Sequence, residues 1–150
     1  MRDGTALAER IAERRAGSGD PRSLVGELRR ALVLVPLDGG GLWTGESGGI
    51  RWIFGFTDET ALARFAKARA AGPTGDGRDT SRPWEFAELR GARLLDEIVP
   101  SMGVPGGVAI NVADPDGSML FPPVRGIVPD TVAVDAGADA DAAVPRRERV

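Results

Sequence analysis

Leu7, Ala8, Ile11 and Ala12 recur at helical spacing, while Glu9, Arg10, Glu13 and Arg14 take the other positions. This pattern predicts a thin amphipathic helix near the start of the chain. The run GSGD at 17–20 stops it, and Asp20-Pro21 then supplies an N-cap followed by proline at the first helical position, where a missing N–H costs nothing. Leu24, Val25 and Leu28 form the stripe of a second helix. From Ala31 the pattern becomes ALVLVPL, a continuous apolar run with β-branched residues at alternate places, which predicts a central strand buried on both faces. Pro36 ends its hydrogen bonding, DGGG at 38–41 turns the chain, and a short strand around 42–44 precedes a glycine-rich turn at 45–49. In IRWIFGF, Ile50, Trp52, Phe54 and Phe56 share one face, and Arg51, Ile53 and Gly55 share the other. The aromatic face is enough to anchor a layer of helix, and Trp52 belongs to the core.

The segment TDETALARFAKARAAG carries the strongest helix signal. Thr57 is placed to cap it, Asp58 and Glu59 lie in its first turn, Leu62, Phe65, Ala66 and Ala70 form its inner stripe, and Gly72-Pro73 ends it. Residues 73–82 (PTGDGRDTSR) predict an exposed loop. Trp84, Glu85 and Phe86 alternate into a strand that reaches a turn at Gly91, although propensity alone also permits one helix over 85–95. Leu94, Leu95, Ile98 and Val99 return to helical spacing, limited by Pro100. A turn at 103–107, a buried strand VAINV at 108–112, a tight connection DPDG at 114–117 and a hairpin return at 118–121 follow. The expected class is α+β, a mixed sheet with packed helices in the order α-α-β-(β)-β-α-β-α-β-β. One domain spans 1–130. Residues 131–150 form an acidic, Pro- and Arg-bearing tail whose Ala, Asp and Gly content offers too little burial for order, at least from Gly137.

Composition narrows the chemistry more than it suggests any. The 150 residues include no cysteine and no histidine. Disulfides, thiolate nucleophiles, zinc–thiolate sites, imidazole bases and Ser-His-acid triads are therefore closed to this chain. Nineteen Lys and Arg against 22 Asp and Glu give a net charge of -3, so no global field draws in a phosphate backbone, and nucleic acid is not an expected partner. No apolar run is long enough to span a bilayer, the start lacks the apolar core of a secretory signal, and a cytoplasmic setting follows as the expectation.

The remaining candidate features are local. Trp43 sits beside a glycine-dense turn, where a large amphipathic ring suits a contact surface, with capping of the sheet edge as the alternative. Trp84 follows the exposed loop and either covers the rim of the core or takes part in contacts. Arg51, with Arg78 or Arg82, is the candidate for holding an anion. The run at 114–118 has the look of a calcium loop, but its glycine falls at the fourth place and its twelfth residue is Arg125, so a hairpin turn is expected. The glycine-rich turns lack the lysine and hydroxyl of a P-loop. The adjacent carboxylates Asp58/Glu59 and Asp96/Glu97 do not face one another across a substrate.

Taken in this order, the chain resembles the amino-terminal domain of the SseB family. The resemblance rests on the paired leading helices ending at Leu28, on Leu32-Val33-Leu34-Val35-Pro36, on Ile53-Phe54-Gly55-Phe56-Thr57-Asp58 with the helix bearing Leu62 and Phe65, and on Gly107-Val108-Ala109-Ile110-Asn111-Val112. It covers roughly Leu7 to Val128 and fits actinobacterial proteins of similar composition. Trp52-Ile53-Phe54-Gly55 is more aromatic than the family's usual sequence there. The resemblance implies a fold and an adaptor or regulatory role, with no catalytic residue and no cofactor to carry across. The leading expectation is thus a non-catalytic domain that binds another protein, or its own copy, through the sheet edge and turn at 40–49, with Trp43, Arg51 and Trp84 as the contact residues. The alternative is a small-ligand domain or carboxylate-based enzyme in which an arginine holds an anion.

Overall fold

The computed structural model describes residues 4–38, 40–71 and 85–135. The loop expected at 73–82, Trp84, Arg78, Arg82 and the tail from residue 136 lie outside them. The fold is α+β. Helices α1 (Gly4–Arg15) and α2 (Pro21–Arg30) precede β1 (Leu32–Asp38), β2 (Gly41–Leu42), β3 (Thr44–Ser47) and β4 (Ile50–Gly55). Helix α3 (Glu59–Ala71) and β5 (Phe86–Arg90) follow. A short turn α4 (Gly91–Arg93) then runs through a π-helical stretch (Leu94–Ile98) into α5 (Val99–Ser101), and β6 (Gly106–Ile110) and β7 (Met119–Phe121) complete the sheets.

Two sheets, β2-β1-β5 and β3-β4-β6-β7, are stitched together by an antiparallel bridge between Leu34 and Phe56. Every ladder is antiparallel except β4 with β6. The alternation in β1 explains its continuous apolar run: Val33 and Val35 face one core and Leu34 the other. The larger core joins Leu7, Ile11, Leu24 and Leu28 of the leading helices to Leu94, Leu95 and Val99, over Ile53, Val108 and Ile110. The smaller core lies under α3, where Leu62, Phe65 and Ala66 meet Leu34, Trp43 and Phe56. Between β3 and β4 both turn residues, Gly48 and Gly49, have positive φ (64° and 80°), the requirement of the tight hairpin turn whose twist matches the strands.

Several local expectations are revised. Strand β1 keeps its hydrogen bonding past Pro36 to Asp38, and residues 44–47, expected to fall mostly within a glycine-rich turn, form strand β3. The cap of α3 is Asp58, whose Oδ1 accepts from the Ala61 amide at 2.8 Å; Thr57 is buried one residue earlier. Pro100 does not stop the helix at its own position. The chain widens to a π turn, with the Val99 amide donating to the Leu94 carbonyl, and continues to Ser101. The wider turn lays Leu94, Leu95 and Val99 on the same core. Packing also runs past Asp130: Val132 and Ala133 rest on the larger core, and the Val134 amide donates to the Pro123 carbonyl at 2.8 Å.

Helix α2 is tied to the π stretch by a two-pronged pair, in which Arg29 Nη1 donates to Asp96 Oδ1 at 3.1 Å and Nη2 donates to Oδ2. Hydrogen bonding to Arg29 holds the Asp96 carboxyl below its ordinary value and raises Arg29 in turn. A carboxylate with depressed proton affinity in the fold stabilises above its unfolded pKa of about 3.9, and that contribution is lost as pH falls through the still lower folded value. Both side chains are more than a third exposed, so water screens the pair. Asp96→Asn is expected to lower stability by about 0.5–1 kcal/mol at neutral pH and by less at about pH 2, below the ordinary carboxylate range. Urea unfolding at the two pH values checks this, and an equal loss at both would assign the effect to packing.

Candidate functional site

The one parallel pair of strands among the described residues, β4 with β6, ends where polar side chains gather. In open sheets with parallel strands, the carboxyl ends are where ligands are commonly received, because the chain there leaves the sheet for loops and helix starts. Strand β4 runs out through Phe56 into Thr57, Asp58 and the first turn of α3, and β6 runs out into Asn111. A cleft of about 340 Å³ opens between these ends and the small side chains of Ala8 and Ala12 on α1.

Asn111 organises the cleft. Its φ is 54°, the only positive value at a non-glycine among the described residues, and asparagine tolerates this left-handed region better than most side chains. The conformation folds the amide back across the strand ends. Asn111 Oδ1 accepts from the Thr57 amide at 3.0 Å, and Nδ2 donates to Thr57 Oγ1 at 3.1 Å, both within the buried interior. Both residues are 4% exposed, so the pair fixes the spacing of β4 and β6 where water cannot compete.

The opposite wall is the turn at 114–117. The Asp114 carboxylate accepts from the Asp116 amide at 3.0 Å and pairs with Arg64 of α3 at 3.3 Å. A Cβ on Gly117 would lie 2.5 Å from Asp114 Oδ2, so the carboxylate occupies the space a side chain would need. From outside, Arg15 at the end of α1 donates to the carbonyls of Pro115 at 2.7 Å and Ser118 at 3.0 Å. The turn is thereby held on two sides, and α1 is fixed as the third wall. Asp114 and Asp116 form a hairpin connection, as expected, and among the described residues no three carboxylates gather to hold a metal ion.

The surface expected at 40–49 is placed differently. Trp43 is 7% exposed and sits inside the smaller core, edge-on to Phe65 with ring centroids 5.9 Å apart, with the Arg69 guanidinium 5.2 Å above its ring. It is unavailable as an exposed anchor because of the route of its backbone. Its amide donates to the Pro36 carbonyl of β1, and its carbonyl accepts from the Phe54 amide of β4. Strands β2 and β3 are the arms of a V, one paired to β1 and the other to β4, and Trp43 is the vertex. Arg51 is half-exposed on β4, where it donates to Thr44 Oγ1 at 3.1 Å and pairs with its cross-strand neighbour Glu46 at 3.6 Å. It lines no part of the cleft. Trp52 lies across Gly107, whose place for a Cβ is 2.7 Å from the indole, and is half-buried instead of fully in the core.

Arg64 and Asn111, which define the cleft, carried no local signal. Arg64 resembles any exposed helix arginine, and Asn111 any polar residue ending a strand. Among the described residues no helix is long and apolar enough to cross a membrane. No family model, curated protein or solved structure matches the chain.

Proposed function

We propose that the domain is a non-catalytic binding module whose small ligand seats in the cleft at the carboxyl ends of β4 and β6. The observation that carries the reading is the convergence of Thr57, Thr60, Arg64, Asn111 and Asp114 from two segments far apart in sequence, around a buried pair that ties the strand ends together. Of the two classes considered from sequence, this favours an arginine-held anionic ligand, with Arg64 replacing Arg51 as the arginine. The acidic group of the ligand exchanges with Asp114 for the guanidinium, the Thr60 hydroxyl lines the same opening, and Asp58, Asp114 and Asp116 there favour a ligand that carries a cationic group as well.

Turnover is not part of the reading. The chain has neither imidazole nor thiol, and two of the carboxylates at the cleft are engaged, Asp58 as the helix cap and Asp114 with Arg64. The order of elements from the paired helices through β1, β4, α3 and β6 also supports keeping the SseB-like assignment, with its regulatory role and cytoplasmic setting, within the proposal. Binding of protein through a sheet edge stands as a second reading, favoured by the exposed Leu120 on β7.

A thermal-unfolding screen with phosphate, small carboxylates, amino acids, nucleotides and sugars tests the cleft. One anionic class is expected to raise the midpoint saturably, by about 2.7 kcal/mol of stability at a hundredfold excess over its dissociation constant. The response should disappear in Arg64→Gln, a substitution at a half-exposed position. Silence across the panel, or an equal response in the variant, would remove the reading.

A further inference from the structure

Sheet edges invite pairing with other chains, and proteins commonly guard them with charge. Strand β3 carries Glu46, β5 carries Glu88 and Arg90, and β2 adjoins Asp38 through its hairpin. The edge strand β7 is different: residues 118–124 read SMLFPPV, without a charge of their own, and Arg15 of α1 reaches only the Ser118 carbonyl at the start of the edge. Leu120 at its centre is 56% exposed, more than any other large hydrophobic residue described.

The ladder fixes where the Leu120 backbone points. The Arg51 amide donates to the Pro105 carbonyl and the Asn111 amide to the Gly55 carbonyl, so the odd-numbered residues of β6 bond to β4. Val108 and Ile110 must then turn their backbone groups to β7, where they face Phe121 and Met119. The N–H and C=O of Leu120 consequently point away from the sheet.

We infer that this edge pairs antiparallel with the same edge of a second copy, about a two-fold axis at Leu120. One outward donor and one outward acceptor on a single residue are self-complementary: the axis sets each N–H on the other copy's C=O. The two Leu120 side chains then cover one another on the same face. Pro122 prevents the pairing from extending, and so short an edge forms a weak, concentration-dependent dimer.

Sedimentation equilibrium of the full chain from about 10 μM to 1 mM is expected to show a monomer–dimer equilibrium, with Leu120→Lys raising the dissociation constant at least about tenfold at an unchanged unfolding midpoint. A second variant is independent of that charge. The chain contains no cysteine, so Leu120→Cys introduces a single thiol, and a short bis-maleimide should bridge two copies whose Cα atoms lie about 5.5 Å apart. Val104→Cys, at a position 49% exposed, should remain monomeric under the same treatment. A wild-type monomer throughout the range overturns the inference, as does a dimer indifferent to Leu120→Lys or equal bridging of the two thiols. A chain that stays monomeric yet captures a foreign extended peptide at β7 overturns it too.

Discussion

Gly91→Ala is expected to destabilise the fold by about 3 kcal/mol and to lower the unfolding midpoint by about 6–12 °C. Gly91 opens α4 directly beyond β5, and its amide donates to the Ala31 carbonyl at 2.9 Å, so its backbone is pinned to the end of α2. A Cβ there would lie 1.9 Å from the Leu28 carbonyl oxygen and 2.6 Å from its carbon. Backbone atoms cannot step aside by changing rotamer. Relief requires α2 and α4 to separate, which opens the larger core at Leu28 and Leu94, both 0% exposed. Gly26→Ala provides a control of opposite sign. Gly26 lies within α2, where a Cβ would meet nothing closer than the end of the flexible Arg30 side chain at 3.5 Å. That substitution should stabilise by about 0.5–1 kcal/mol, because alanine loses less freedom in a helix. Urea unfolding of the two variants measures both. A Gly91→Ala protein within about 0.5 kcal/mol of wild type would show that the helices slide apart without loss of core contact.

Most of the α+β order could be read from sequence because those elements announce themselves locally; β3 did not, its residues 45–47 looking like a glycine-rich turn. Val33, Leu34 and Val35 are buried on both sides as their unbroken run requires, and Leu62, Phe65 and Ala66 are the inner stripe of α3. What escaped was decided by partners far along the chain. Thr57 and Asp58 are both good caps, and the choice between them turns on Asn111, 54 residues away, which takes the threonine for the strand ends. The cleft is held by Arg15 reaching a turn about a hundred residues on. The π turn needs the core contacts of Leu94 and Val99 as well as the proline after them. The place of Trp43 escaped for a related reason. Glycines on either side suggest a contact surface or a cap on the sheet edge, but the vertex between two diverging strands is interior.

Trp43→Ala should therefore act on folding and not on contacts with a partner, with a loss of about 3–5 kcal/mol. The indole is nearly sealed from water and meets Phe65, which also packs against Phe54 at 5.5 Å and Phe56 at 5.2 Å between ring centroids. Removing the indole leaves a cavity bounded by these rings and by α3, where relaxation is limited because the Trp43 backbone is bonded to both β1 and β4. The guanidinium of Arg69 would lose the ring below it, a contact of about 0.5–1 kcal/mol at an exposed site. Trp43→Phe keeps part of the apolar fill and should recover more than half of the loss, whereas Arg69→Gln should reproduce only the smaller cation–π share. Denaturant unfolding of the three variants separates these contributions. If Trp43→Ala unfolds at the wild-type midpoint yet weakens capture of a binding partner, the ring is a contact residue and the vertex does not depend on it.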